Sequence, residues 1–574
     1  MLELCDVTVS ASESDGTPIL LSEVSGRFRR GEVCALIGPS GSGKSTLVRA
    51  VAGIAHATGG SLLWEGIDLE KDDLPPSQIG YVPQFTISRE TLTARENVVL
   101  AIRLRIAGLS SGELERRAAE LLALTGLTEA ADTLSKFLSG GQRRRLALAM
   151  ELVSEPPLLL CDEVTSGLDA RSEREILELL RRIAREGDRV VLVVTHGLRH
   201  LELFDQIAVL NEGYLAYLGP TDTLAHYFRA DQPEDIFERL PQRSGPEWHG
   251  SWTKHRQHFD EPEPEDKPKP KSADRAGKEV EPPSRPTGSL PSPIIQFATL
   301  FTTRWKMFFR SKGGVALQLG LVLGFPCVVA IFALDGLPAV PNLDAGLSGD
   351  VVRQLVEART FVEGASKAGS AVSGLILLQV ILLGLLGANN SAREIAGERA
   401  IYEKERFGGL NPAAYIASKV AFLAILVLIQ SAWMTWFVRT VSDFPGEAGQ
   451  QFLFFLLVNA ALTSVCLGIS ALARSPDRAS LASIYLVGFQ LPLSGAVLAL
   501  PAGLDAALRP FIATYWSWSG ALQSLRDTRY YDVLEMVVPT TLSAAALSAW
   551  VLVLHILFGI FIAWLGCLRA AWDR

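Results

Sequence analysis

The chain has 574 residues, with 54 Lys and Arg against 62 Asp and Glu and a formal net charge of −8. That length is too great for one hydrophobic core and implies about three to four domain-sized units. The acid excess implies no basic face, which argues against a nucleic-acid partner.

The averages conceal a division. Up to about residue 290 charged and apolar residues are mixed as in a soluble protein, whereas from about 315 onward long stretches carry almost no charge. With a mean hydropathy of +0.23, this predicts a cytosolic domain followed by a membrane domain. The six cysteines (Cys5, Cys34, Cys161, Cys327, Cys466, Cys567) are isolated and show no metal-ligand spacing. None falls in a segment assigned to the outer side, so no disulfide framework is expected. The chain opens directly into the alternating run "LELCDVTV" without a cleavable signal, which predicts a cytoplasmic first domain.

Residues 1–241 read as alternating strands and helices. "EVCALIG" (32–38), "PLLLCDE" (157–163) and "DRVVLVVTH" (188–196) are short apolar runs suited to buried strands of a parallel sheet. Between about 91 and 137 the pattern is helical, as in "SGELERRAAELLALTGL".

The first of these runs leads into Gly38, Pro39, Ser40, Gly41, Ser42, Gly43, Lys44 and Ser45, with Thr46 behind them, a fit to G-x-x-x-x-G-K-[ST]. The glycines let backbone N–H groups close round a β-phosphate, and a helix starting near Lys44 points its positive end there. Lys44 is expected to neutralise β/γ oxygens and the Ser45 hydroxyl to bind Mg²⁺. The second run supplies Asp162, expected to hold Mg²⁺ through water, and Glu163, expected to polarise the attacking water as general base. "LSGGQ", Leu138 to Gln142, adds a second phosphate-binding helix start: Ser139, Gly140, Gly141 and Gln142 stand before "RRRLALAMELV". No triphosphate of its own lies in sequence reach.

On these motifs the chain resembles an ABC ATPase. The match extends to Gln84 in "YVPQ" (Q-loop), Asp169 in "SGLD" (D-loop) and His196 in "VVTH" (switch histidine). The resemblance implies that two such domains bind ATP and Mg²⁺ head to tail, the Ser139 loop of one covering the γ-phosphate held by Lys44 of the other. Gln84 would sense the nucleotide as a metal ligand facing the membrane domain, Asp169 would join the nucleotide site, and His196 would contact the γ-phosphate. A homodimer would have two intact sites; a heterodimer is the alternative. One feature departs from the family: adenine usually stacks on an aromatic upstream of the P-loop, but residues 1–27 contain no Phe, Tyr or Trp. Either base selectivity is loose, or an aliphatic residue such as Val7 or Val9 serves.

Residues 242–290 are rich in proline and charge and read as a flexible linker. The segment 291–312 ends in Arg304, Lys306, Arg310 and Lys312 and reads as an amphipathic helix at the membrane surface. The membrane domain, 313–574, contains six segments long enough to span: about 315–334, 371–389, 418–438, 452–472, 480–500 and 543–567. Lys and Arg concentrate on the flanks facing the first domain, which puts both termini in the cytoplasm. The expected fold is therefore an α/β P-loop NTPase domain of the ABC type followed by an all-α six-helix transmembrane domain, in the plasma (inner) membrane.

This order, ATPase first and spans after, resembles the G-subfamily (White-type) half-transporters. "REIAGERAIYEKERFGGLNPAAYIASK", 393–419, has alternating charges that suit a solvated helix. The resemblance makes it the coupling segment, with Glu398, Arg399, Glu405 and Arg406 near the ATPase contact. "RPFIATYWSWSGALQSLRD", 509–527, resembles the family's external re-entrant region, and its Trp and Tyr suit an interface. The polar groups within the spans are Gln379, Gln430, Asn459, Gln490 and His555, with no carboxylate or Arg, so a proton relay is not expected. The resemblance places Gln379, Phe489 and Gln490 at a central cavity.

An uncharged path implies a small hydrophobic or amphipathic cargo, lipid- or drug-like, handled beside membrane lipid. Fusion of the two domains favours export by analogy with the superfamily. The competing reading is a membrane ATPase that transmits force or a signal to a partner protein without moving a solute.

Overall fold

The computed structural model describes residues 1–10, 19–72, 74–256, 289–334, 336–340, 351–496, 501–538 and 540–569. The chain divides into two compact units. Among the described residues, unit 1 takes those of Met1–Ile295 together with Glu403–Leu410, and unit 2 those of Gln296–Tyr402 and from Asn411 to Arg569.

The strands of unit 1 are β1 Leu2–Ser10, β2 Ile19–Phe28, β3 Val33–Ile37, β4 Gly59–Trp64, β5 Ile67–Asp68, β6 Ile79–Val82, β7 Leu158–Asp162, β8 Val190–Val194, β9 Gln206–Asn211 and β10 Tyr214–Gly219. They form a four-stranded sheet in the order β2-β1-β4-β5 and a six-stranded sheet in the order β10-β9-β3-β8-β7-β6. In the larger sheet β6, β7, β8, β3 and β9 run parallel, and β10 pairs antiparallel with β9. The three predicted strands are its centre: β3, β7 and β8 are buried at every position, as expected of continuous apolar runs covered on both faces.

The helices of unit 1 are α1 Lys44–Val51, α2 Ala94–Arg105, α3 Ser111–Leu124, α4 Gly140–Glu151, α5 Ala170–Glu186, α6 Thr221–Phe228, α7 Ile236–Arg239 and α8 Gly245–His255. Thr93, Ser110 and Ser139 each close a capping box at the start of α2, α3 and α4, which satisfies two orphan N–H donors per helix. Helix α8 corrects the predicted linker boundary. Its Trp248 and Trp252 are buried in the core of unit 1, with Trp252 5.2 Å from the Tyr217 ring of β10. Two buried indoles offset the ordering entropy of a segment whose proline and charge suggested none. The remainder of that linker, 257–288, lies outside the described residues.

The chain continues through α9 Pro293–Arg310, α10 Lys312–Ile331, α11 Val351–Ser391, α12 Arg399–Phe407, α13 Pro412–Ser442, α14 Ala448–Leu472, α15 Pro476–Leu493, α16 Ala502–Leu508, α17 Ala513–Leu522, α18 Arg529–Val537 and α19 Ala545–Leu568. Among the described residues five helical stretches are long and apolar enough to cross a membrane, and they carry the predicted spans at 315–334, 371–389, 418–438, 452–472 and 543–567. The predicted span 480–500 falls on α15, which is not among the five; residues 497–500 lie outside the described residues. Helix α15 has 18 residues and opens on Asp477 and Arg478. At 1.5 Å per residue it rises about 27 Å, short of a hydrocarbon core of about 30 Å.

Unit 2 is built around α14, which packs against α19 through small residues. A Cβ on Gly559 would stand 2.4 Å from the carbonyl carbon of Ser464, so only glycine permits this backbone approach. Helix α17 corrects the reading of 509–527 as interfacial. Its residues are buried throughout, and the Trp518 indole donates to the Ser373 hydroxyl at 3.2 Å. The aromatic rings fill the core because their polar edges find partners inside it.

Candidate nucleotide site

Parallel pairing assembles this site. Val82 stands opposite Cys161, Asp162 opposite Val194, and Leu36 opposite Val194, so β6, β7, β8 and β3 end side by side on one edge of the sheet. Whatever follows each strand meets at that edge: Gln84 after β6, Glu163 after β7, His196 after β8, and the 38–45 loop after β3.

The loop closes tightly. A Cβ on Gly38 would lie 2.2 Å from the Leu210 carbonyl oxygen, and one on Gly43 2.7 Å from the Leu20 carbonyl oxygen. Gly38, Gly41 and Gly43 have φ of 152°, 80° and 95°, conformations that side chains resist. Lys44 is buried at the N-terminus of α1, and its Nζ donates to the Gly38 and Pro39 carbonyls at 3.0 and 2.8 Å. Burial pushes its ammonium below the usual lysine range, with Glu163 and Asp162 opposing. The Ser42 hydroxyl oxygen is buried inside the loop without a partner among the described residues. An orphaned hydroxyl, a buried ammonium and a helix start fit a triphosphate.

Ser45 Oγ donates to Asp162 Oδ1 at 3.1 Å, and Tyr81 Oη donates to Oδ2 at 3.3 Å. Burial raises the Asp162 carboxyl above its usual range, partly offset by the Ser45 bond. Among the described residues no group of three or more His, Cys, Asp or Glu side chains forms a metal cage. The hydroxyl and carboxylate oxygens of Ser45 and Asp162 fit Mg²⁺, an ion that takes few protein ligands and keeps phosphate and water oxygens. When bound, it would neutralise phosphate charge there.

Glu163 is the centre of a hydrogen-bonded group. Its Oε1 lies 2.8 Å from His196 Nε2, and its Oε2 accepts from Gln84 Nε2 at 2.6 Å. Its backbone has φ of 52°, a left-handed conformation that costs a glutamate on the order of 1 kcal/mol. The structure thus brings together Lys44, Ser45, Asp162, Glu163, Gln84 and His196. With its amide nitrogen given to Glu163, Gln84 has its carbonyl oxygen left for the predicted metal contact.

Ser139 and Gly140 are exposed at the start of α4, where the Ser139 hydroxyl accepts from Gln142 N and the Gln142 side chain from Ser139 N. Asp169 caps α5 by accepting from Arg171 N and Ser172 N, bonds to the Ser172 backbone and hydroxyl that hold its carboxyl below the usual range. Val7 and Val9 are buried in the core of unit 1, which removes them as adenine platforms. Among the described residues, Ile19 and Leu20 at the start of β2 are exposed apolar side chains, and the Leu20 carbonyl faces Gly43 of the loop.

The four predicted coupling residues separate. Arg399 Nη1 donates to the Ala471 carbonyl at 3.0 Å and Glu398 accepts from Lys419, both inside unit 2. Glu405 and Arg406 belong to unit 1, where Arg89 grips Glu405 with both guanidinium arms. Three residues there were not anticipated. Buried Glu151, the last residue of α4, accepts from Arg105 Nη1 at 2.9 Å and pairs with Lys404 Nζ at 3.1 Å. The acid-base spacing of 393–419 marked a charged helix, but nothing local in "AMELV" distinguished Glu151.

The predicted cavity residues also divide. Gln379 is buried and donates to the Leu375 carbonyl of its own helix at 3.2 Å. Gln490 is buried and accepts from Thr514 N at 3.2 Å. Both glutamines are engaged inside the unit, because an amide in an apolar interior must find a partner. Phe489 is 61% exposed.

Both halves of the chain are similar to known proteins. Residues 21–166 match the family model "ABC transporter" and residues 295–509 the model "ABC-2 type transporter". The ABC transporter ATP-binding/permease protein Rv1747 of Mycobacterium tuberculosis is 31% identical over 497 residues, 84% of this chain. The chain spans about half, 53%, of that relative's length. The methionine import ATP-binding protein MetN of Vibrio cholerae is 34% identical over 259 residues, 42% of this chain and 75% of that protein. A solved dimeric ATP-binding cassette, MJ0796 bound to ADP and Pi, is 30% identical and covers 38% of this chain and 98% of its own, with a TM-score of 0.36. The chain belongs to the ABC transporter family, an ATP-binding cassette standing ahead of an ABC-2 type membrane domain.

Proposed function

We propose that the chain is an ATP-hydrolysing half-transporter that pairs with a second copy and exports a hydrophobic or amphipathic molecule, lipid- or drug-like, from the cytoplasmic side of the inner membrane. The observation that carries this reading is Glu163, fixed between His196 and Gln84 beside the Lys44 loop. ATP would lie with its phosphates on the N–H groups of residues 38–45 and on Lys44. A water held at Glu163 attacks the γ-phosphorus, Glu163 takes its proton, and the bond to the β–γ bridging oxygen breaks to release ADP and phosphate. His196 steadies Glu163 and the γ-phosphate oxygens.

The exposed Ser139 helix start is the piece such a site would receive from the partner copy, so closure of two chains completes two sites. Segment 403–410 follows directly on Tyr402 in the chain and is held by Arg89 and Glu151. Closure of the cassettes would pass along the chain by this route, and alternating access would follow.

An apolar cargo is supported by the spans' chemistry, in which Gln379, Gln430, Asn459 and Gln490 find hydrogen-bond partners within unit 2. Asn390, Gln430 and Asn459 form one hydrogen-bonded chain, with bonds of 2.9 and 3.1 Å. The test is ATPase activity of the purified chain in lipid nanodiscs against lipids and amphipathic compounds, followed by flux of any stimulating compound in vesicles. Basal activity raised by a few compounds that also move supports the reading. Activity indifferent to every compound but raised by a protein partner would replace it with a force-transmitting ATPase.

A further inference from the structure

Helix α4 has two ends with known engagements, Ser139 at its start and Glu151 at its close. Between them lies Arg144, half-buried, whose Nη1 donates to the backbone carbonyl of Gln84. Among the described residues this is the hydrogen bond that joins α4 to residues 83–88. Across the gap between these elements runs a cleft of about 270 Å³, with Phe85 and Ser88 on one side and Gly140 and Arg143 on the other. Along this cleft the 84–88 strip is held by discrete polar ties, among them Ser88 Oγ, 2.7 Å from Ser135 Oγ. A further tie runs from Lys404 Nζ to the Ile87 carbonyl at 3.4 Å.

The Gln84 that accepts from Arg144 is the same residue whose side chain donates to Glu163 at 2.6 Å. Arg144 also lines a small gap with Cys161 and Val164, the residues flanking Asp162 and Glu163, and its charge feels the Glu163 carboxylate. A rigid helix thus carries, little more than one turn apart, the serine that would cap a partner's triphosphate and the arginine that holds Gln84, the hydrogen-bond partner of this chain's own Glu163. We propose that Arg144 is a positioning residue that couples the two nucleotide sites, so that a triphosphate docking on Ser139 from the partner sets the geometry of Gln84 and Glu163 in this chain. This rests on the homodimer reading above.

The test uses the full chain in nanodiscs, with Arg144→Leu and Arg144→Lys. Arg144→Leu should lower kcat about tenfold, the worth of one charge-assisted hydrogen bond in a transition state. The KM for ATP should stay unchanged, because Arg144 touches neither phosphate nor base. The Hill coefficient for ATP should fall from above one to one, and Arg144→Lys should restore part of both kcat and Hill coefficient. In the Glu163→Gln background, ATP should slow amide hydrogen exchange across 83–88, and Arg144→Leu should abolish that slowing. An Arg144→Leu chain that keeps its Hill coefficient and its ATP-dependent protection overturns the proposal, as does one that loses ATP affinity and melting temperature together without recovery by lysine. Cross-linking separates the two readings. Parent chains that fail to associate in ATP sink the homodimer and this coupling with it, whereas associated chains indifferent to Arg144→Leu sink the coupling alone.

Discussion

Lys404 Nζ sits 3.1 Å from Glu151 Oε1, and neither side chain reaches solvent. Arg105 bonds the same carboxylate at 2.9 and 3.2 Å, so one buried acid holds two buried cations. Burial works to raise the Glu151 carboxyl, but the two cations outweigh it and hold it below its ordinary value of 4.5. Removing the acid leaves both cations uncompensated in an apolar site. Glu151→Gln should therefore destabilise unit 1 by about 3–5 kcal/mol, read as a fall in melting temperature. Glu151→Gln with Lys404→Met should recover part of that loss.

The same pair sets a pH dependence. A carboxyl with a depressed folded-state pKa stabilises the fold above its ordinary value and loses that contribution as pH falls below it. The stability gap between the parent chain and Glu151→Gln should hold constant above pH 4.5 and narrow at lower pH. Urea titrations of the two chains at several pH values check this; a gap that widens on acidification contradicts it.

Glu163→Gln keeps the hydrogen bonds to Gln84 and His196 but removes the base. Hydrolysis should fall by about 10²–10⁴-fold, while ATP affinity stays within experimental error. Single-turnover kinetics and equilibrium binding separate the two effects. Loss of ATP affinity instead would assign Glu163 to binding.

With Val7 and Val9 buried, Ile19, 59% exposed and one residue before the Leu20 carbonyl that faces Gly43, is the position we test as the base contact. Ile19→Tyr should tighten ATP by about 0.5–1.5 kcal/mol through ring stacking, measured by displacement of a fluorescent nucleotide. The parent chain should discriminate weakly between ATP and GTP. No change on Ile19→Tyr would move the base elsewhere.

In unit 2, Gly559→Ala places a methyl 2.4 Å from the Ser464 backbone. Helices α14 and α19 must then separate, at a cost of about 1–3 kcal/mol, seen as faster unfolding of the detergent-solubilised chain. Gly313→Ala, where a Cβ meets nothing within 4 Å, is the control and should be neutral.

The nucleotide site was legible in the sequence because each of its parts is a short segment at the end of its own apolar strand. Once β3, β6, β7 and β8 are parallel neighbours, Lys44, Gln84, Glu163 and His196 have no choice but to meet. The long membrane helices were legible for a similar reason, since hydropathy alone requires them. What only the tertiary structure decided is which polar side chain answers which. Trp248 and Trp252 turned a presumed linker into part of a core, Val7 and Val9 disappeared into the same core, and Gln379 and Gln490 closed on the Leu375 carbonyl and Thr514. Glu151 found Arg105 and Lys404, and Arg144 found the Gln84 carbonyl, from positions far apart in the chain. Local pattern fixes an element and its apolar face, but a buried polar group must be satisfied by whatever packing brings within about 3 Å, and that distance is set by the fold as a whole.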